Sequence, residues 1–274
     1  MSRAWRTIRT VLLVVAGLYA LAALGMFVVQ RRIVFVPDTS RPDVATAHVP
    51  GLREIELITA SGLWLHAWFL PPPPGRAVVA FFHGNGGNLG DRINWIQALA
   101  AARYGLLLPE YPGFGGNPGS PSEEGFAETA DAALAWLDAN LVGVRIVIYG
   151  ESIGSAVAVR AAATREGAGR ATAGMILESP FSSITDIGRR QFPWLPVALL
   201  LRDQFDCIAR IPFIHTPLLV LQGARDTLVP PALGQRLFAA ANEPKRLWVA
   251  PEGRHDTLGQ NGAMPVIFGF LDRM

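Results

Sequence analysis

One pentapeptide constrains this chain more than any other stretch: Gly150-Glu151-Ser152-Ile153-Gly154, set between an apolar run at 146–149 and small residues with helical spacing. A buried strand, a sharp turn and a helix in that order are what a G-x-S-x-G nucleophile elbow requires. The turn leaves no room for side chains beside the serine, so glycines stand two positions before and after it. Ser152 is then held above the strand end, at the positive end of the following helix. With 28 glycines in the chain the bare pattern arises easily by chance, and a strand-to-helix turn with a capping serine fits the same letters. The context and the partner residues must decide.

At 274 residues the chain holds one full-size domain plus an extra segment. Its 50% hydrophobic content is high for a wholly water-soluble protein and points to a membrane segment. The net charge is +2, and Arg3, Arg6, Arg9, Arg31 and Arg32 all flank that segment, so the body is near neutral or slightly acidic. No basic stripe with interleaved aromatics appears, which argues against nucleic acid as a partner. The single Cys207 excludes an internal disulfide and a cysteine metal cluster; a buried thiol is its default reading.

Residues 11–29 form a 19-residue run without charge, long enough to cross a bilayer core as a helix, with basic residues at both ends. A cleaved signal peptide is the rival, with Ala20-Leu21-Ala22 resembling a cleavage site. The apolar run continues beyond it through Val29, which favours an uncleaved anchor over residues 1–32, followed by a soluble domain over 33–274. Three arginines and the terminal amine precede the span, and Arg31, Arg32 and Arg41 follow it. That slight excess predicts a cytoplasmic N-terminus and an extracytoplasmic body.

From residue 33 the pattern is that of an α/β domain. Segments 54–59 and 63–70 predict an opening antiparallel hairpin around Ala60-Ser61-Gly62. Pro71 to Pro74 makes a stiff connection that cannot join a ladder. Residues 77–82 are apolar throughout, as in a strand covered on both faces. Strands at 106–108, 145–149, 175–177, 218–221 and 247–250 then alternate with helices at 125–141, from 152, at 232–241 and at the C-terminus. This alternation predicts a mainly parallel, doubly wound sheet.

In such a sheet the site lies at the carboxyl ends of the strands. A serine hydroxyl is a poor nucleophile without a base within hydrogen-bond reach. Of the five histidines only His255 follows a late strand, in Gly253-Arg254-His255. A third group must orient the imidazole, and Asp226 stands in the loop leaving strand 218–221. The chain order Ser152, Asp226, His255 matches the order that goes with this elbow. Asp203 and Asp206 precede the strand, and Asp256 adjoins the histidine. A developing oxyanion needs amide donors. Strand 77–82 ends in His83-Gly84-Asn85-Gly86-Gly87-Asn88, which offers the Asn85 amide, and Ile153 follows the nucleophile directly. A phosphate cradle would end in Lys-Ser/Thr, whereas here Leu89-Gly90-Asp91 follows. His83 reads as a support for this loop.

The set H-G-N-G-G-N, E-Y-P-G-F-G-G-N-P-G-S-P-S-E-E-G, G-E-S-I-G, E-S-P-F-S-S-I, G-A-R-D-T-L-V-P and G-R-H resembles the α/β-hydrolase superfamily. Within it, the chain is most similar to the membrane-anchored, serine-aminopeptidase-like branch, whose relatives include lysophospholipases and protein depalmitoylases. The resemblance runs from about residue 30 to the C-terminus. It implies Ser152 as nucleophile, Asp226 as acid, His255 as base and oxyanion amides on Asn85 and Ile153, each in agreement with the residue-level reading. At Glu110-Tyr111-Pro112 many relatives carry Asp-x-Arg, so a substrate contact by this loop does not transfer.

Residues 180–214 occupy the place of a short lid. The apolar cluster Phe192 to Leu201 reads either as an acyl-pocket lining beside the membrane or as a core helix. Three functions stay open: a hydrolase of carboxylic esters or thioesters with a small-molecule or lipid-like substrate, a peptidase with the same triad, and a silent hydrolase-fold binding protein. Three side chains and two amides supply every role, so no metal or organic cofactor is implied.

Overall fold

The computed structural model describes residues 3–170 and 172–274. The chain begins with helix α1 (Arg3–Val34), continuous through the charge-free run and on to Val34. A short strand β1 (Val36–Pro37) follows, then β2 (Arg53–Ile58), β3 (Trp64–Leu70) and β4 (Val78–Phe82). Next come β5 (Gly86–Gly87), α2 (Ile93–Ala101), β6 (Gly105–Pro109), α3 (Glu123–Asn140), β7 (Ile146–Glu151) and α4 (Ile153–Gly167). The remainder is β8 (Gly174–Glu178), α5 (Ile184–Gln191), α6 (Val197–Leu200), β9 (Leu218–Gly223), α7 (Pro231–Ala240), β10 (Lys245–Ala250) and α8 (Ala263–Leu271).

Eight strands make one sheet in the order β10-β9-β8-β7-β4-β6-β3-β2, and β1 pairs with β5 in a separate two-stranded ladder. The predicted opening hairpin is present: β2 and β3 run antiparallel with Ile58 opposite Trp64. β3 is also antiparallel to β6, and every other pair in the large sheet is parallel. The strands read as continuous apolar runs because both faces are covered. Val78, Ala80, Phe82, Ile146, Ile148, Leu218 and Val220 enter one core with α3, α4 and α7. Val79, Phe81, Val147, Tyr149, Leu219 and Leu221 enter the other with α2 and α8. Successive residues of a strand thus point into different cores, as the period of two demands.

Helix α3 starts where its sequence invites it: Ser122 accepts from the Gly125 amide, and Glu123 and Glu124 occupy the first turn. Helix α2 escaped the sequence reading. Arg92 precedes it without a side-chain cap, and the capping box of Asn88 and Asp91 belongs to a preceding one-turn helix.

Helix α1 is long and apolar enough to cross a membrane. Along its C-terminal half, Gln30 is buried and Ala23, Met26, Phe27 and Val34 are partly buried, while Leu21, Leu24 and Val28 are exposed. That spacing of three and four residues is one helical face.

Candidate active site

Ser152 sits between β7 and α4 with φ of 53° and ψ of −119°, a left-handed conformation that a serine adopts only under constraint. The flanking glycines supply it. A Cβ on Gly154 would stand 2.0 Å from the carbonyl oxygen of Phe82 at the end of β4, and one on Gly150 would stand 2.3 Å from that of Gly154. The Ser152 amide donates to the Glu178 carbonyl at 2.8 Å, which ties the turn to the neighbouring strand β8.

The aspartate and histidine arrive by register. β9 and β10 are parallel, and their last residues, Gly223 and Ala250, are directly paired. The loops leaving them therefore start side by side. A Cβ on Gly223 would meet the Gly253 carbonyl at 2.5 Å, so the two loops touch through bare backbone. His255 Nδ1 lies 2.7 Å from Asp226 Oδ2, and His255 Nε2 lies 2.9 Å from Ser152 Oγ. The other Asp226 oxygen accepts from the amides of Leu228 at 3.0 Å and Val229 at 2.8 Å. Its carboxylate is enclosed, and these two donors offset the cost of burying it. The hydroxyl, imidazole and carboxylate, 103 and 29 residues apart, form one hydrogen-bonded line. Such a line can move a proton from the serine to the ring while the carboxylate stabilises the resulting cation.

Asn85 and Ile153 line the same cavity as Ser152. Ile153 opens α4, where a helix amide has no intrahelical acceptor. The Asn85 amide donates to no backbone acceptor among the described residues. Its side chain instead donates to the Val34 carbonyl at 2.8 Å, and its own carbonyl accepts from Val36 at 2.9 Å.

The loop carrying Asn85 is clamped from beneath. His83 is fully buried, with Nε2 2.8 Å from Glu110 Oε1 and Nδ1 2.8 Å from the Gly84 carbonyl. Glu110 Oε2 accepts from the Leu89 amide at 2.9 Å, and the Tyr111 hydroxyl donates to the His83 carbonyl at 3.2 Å. The supporting role expected of His83 agrees with these contacts. Glu110, in place of the Asp of Asp-x-Arg, and Tyr111 beside it point inward and brace the loop instead of reaching the cavity. Sequence reading missed Glu110 as His83's partner, because nothing local relates residues 27 positions apart. Asp203, weighed as a candidate acid, is engaged by Arg31 through two bonds of 2.7 and 3.0 Å.

Glu178, at the end of β8, has its carboxyl pushed up to about 7 by burial and by the nearby Glu151 carboxylate. Tyr149 donates to it, and the Tyr149 hydroxyl is raised well above its ordinary value, chiefly by burial. Arg92 pairs with Glu151 at 3.1 Å. Burial also raises the Cys207 thiol, and the group has no part in the site.

The cavity above Ser152 measures about 170 Å³ and is lined by Phe181, Ile184, Ile187 and Val197 from the lid and by Leu228 and Val229 from the Asp226 loop. Among the described residues its polar lining consists of Gln30, Asn85, Ser152 and Gln191, and no ionisable side chain contributes. Among the described residues, no cluster of three His, Cys, Asp or Glu side chains is arranged to hold a metal ion.

Comparison with known proteins bears on the family and the fold. A family model described as alpha/beta hydrolase fold matches residues 77–199, and one described as serine aminopeptidase, S33, matches residues 196–261. A Mycobacterium tuberculosis protein described as uncharacterized is 39% identical over 252 residues, covering 88% of this chain and 87% of its own. Protein bem46 of Schizosaccharomyces pombe is 31% identical over 271 residues, covering 92% and 89%. The esterase Pf2001 of Pyrococcus furiosus superposes with a TM-score of 0.71 at 19% identity, over 88% of this chain and 97% of that one. The chain belongs to the α/β-hydrolase superfamily, in the serine-aminopeptidase-like branch that includes bem46.

Proposed function

We propose that this chain is a membrane-anchored serine hydrolase that cleaves carboxylic esters or thioesters of lipid-like acyl substrates. Ser152 Oγ attacks the carbonyl carbon as its proton passes to His255 Nε2, and Asp226 holds the ring and stabilises its charge. The Asn85 and Ile153 amides donate to the oxyanion. His255 then protonates the departing alcohol or thiol and leaves an acyl-Ser152. Water, deprotonated by the same ring, attacks this acyl-enzyme; the acyl–Oγ bond breaks, the ring returns the proton to Ser152 Oγ, and the acid is released. The observation that carries the reading is the line Asp226–His255–Ser152, at 2.7 and 2.9 Å, ending at the floor of an apolar cavity.

The same three residues would serve a peptidase, and the serine-aminopeptidase match names one. A substrate amine calls for a carboxylate in the pocket, and no acidic side chain lines this one. The uncleaved anchor is supported by the face of α1 that packs on the lid. A fluorophosphonate probe should label the wild-type chain and leave Ser152→Ala unlabelled; equal labelling of the two would remove Ser152 from the mechanism. Turnover of p-nitrophenyl acyl esters with none of aminoacyl anilides is the expected profile, and the reverse would establish the peptidase. An unlabelled, inactive wild type would leave only a binding function.

A further inference from the structure

The cavity above Ser152 is not enclosed by the hydrolase domain alone. Met26, Phe27, Gln30, Ile33 and Val34 of α1 line it alongside the lid. The contact is a fitted one. Gln30, buried in the middle of this interface, donates through Nε2 to the Leu200 carbonyl at 3.1 Å and accepts at Oε1 from the Arg202 amide at 2.8 Å. One residue on, Arg31 forks onto Asp203. Farther along the helix, Tyr19 donates to the Trp194 carbonyl at 3.0 Å.

The helical rise of about 1.5 Å per residue turns these contacts into depths. Phe27 and Met26 lie about 6–8 Å along the axis from Arg31, and Tyr19 about 18 Å. All three belong to the 19-residue run without charge. If that run crosses a hydrocarbon core of about 30 Å, the Met26 and Phe27 part of the α1 wall and the lid tip lie below the headgroup level, while Gln30, Ile33 and Val34 stand at or beyond it. The lid surface suits that depth: Trp194 and Leu199 are 51% and 86% exposed on the segment that meets α1. A helix tilt shortens the depths without reversing their order.

Size and chemistry complete the argument. A cavity of about 170 Å³ is smaller than the roughly 300–1,000 Å³ of sites for drug-sized ligands, so it suits a narrow chain better than a bulky group. No lining residue carries a charge, so a charged headgroup finds no partner inside. We infer that the C-terminal end of α1 is the outer wall of the acyl pocket, opening sideways into the leaflet, with Met26 and Phe27 setting which chain of a bilayer-resident acyl ester reaches Ser152. This rests on the hydrolase reading above and adds to it a substrate source and two specificity residues outside the catalytic domain.

The test uses the full chain in phosphatidylcholine vesicles with p-nitrophenyl esters from acetate to palmitate. Met26→Trp, which fills the wall, should lower the ratio of long-chain to short-chain kcat/KM by at least about tenfold, the scale of a pocket methylene or more. Met26→Ala, which widens it, should move the preference toward longer chains. Val28→Trp stands at the same depth on the exposed face of α1 and should leave the ratio within about twofold. An active enzyme whose chain-length profile ignores Met26, or responds equally to Val28→Trp, would overturn the inference. A wild type without any ester turnover would instead defeat the hydrolase reading, a distinct result. Independently, Trp194→Cys carrying an environment-sensitive fluorophore should be quenched by lipids spin-labelled on the acyl chain; Cys207 is buried, so labelling is selective. Emission typical of water, with no quenching, would place the lid outside the leaflet and end the proposal.

Discussion

At the residue scale, the site depends on orientation as much as on chemical identity. Asp226 presents one oxygen to His255 and the other to two loop amides, so it fixes the ring and its own loop together. Asp226→Asn can keep its oxygen on the two loop amides only by turning its NH2 against His255 Nδ1. We expect kcat to fall by about 10³–10⁴-fold with an unchanged circular dichroism spectrum, since the wrong tautomer leaves Ser152 without its base. Glu178 gives a separate, pH-dependent signature. The folded chain keeps its proton up to about pH 7, whereas the unfolded chain releases it near the ordinary 4.5. Between those values the folded state binds more protons, so stability falls as pH rises through the window. Glu178→Gln should flatten that slope and raise stability at pH 8 by on the order of 2 kcal/mol, read from denaturant midpoints at pH 5 and pH 8. An identical slope in the variant would assign the pH dependence to other groups.

At the scale of elements, the join between α1 and the sheet matters more than either alone. Phe35 follows the helix directly, is 3% exposed, and packs its ring 5.2 Å from that of Phe126 and 6.1 Å from that of Phe205. One residue later β1 pairs with β5, the strand that continues the loop of Asn85. The end of the helix therefore holds one side of the proposed oxyanion loop, while His83 and Glu110 hold the other. Phe35→Ala should cost about 3–4 kcal/mol, the usual range for emptying a buried phenylalanine site, measured by denaturant unfolding in detergent micelles. Because β1 would loosen with it, kcat on short esters should fall as well. A loss of stability with kcat untouched would separate the join from the loop.

At the scale of the whole molecule, the architecture was readable because long apolar runs and their breakers are local signals. The strand at 78–82, the hairpin at 53–70 and the elbow at 150–154 all announce themselves within a few residues. So do Ser152, Asp226 and His255, whose order and position after strands follow from the alternation of strand and helix. Helix α2 was missed because it lacks a cap, and Glu110 because its partner is remote. The face of α1 toward the lid was missed for a different reason. A 19-residue run without charge says how far a helix can reach, but every side of such a run looks alike until a partner surface breaks the symmetry. Local letters therefore set the elements, their order and the chemistry each could carry, since these depend on neighbours in the chain. Contacts across the fold settled which groups meet: Asp226 beside His255 through paired strand ends, Glu110 under His83, and Met26 and Phe27 in the wall of the cavity that Ser152 lines. Those meetings depend on packing between segments far apart in sequence, where the free energy of burial is shared among many residues and no single stretch records it.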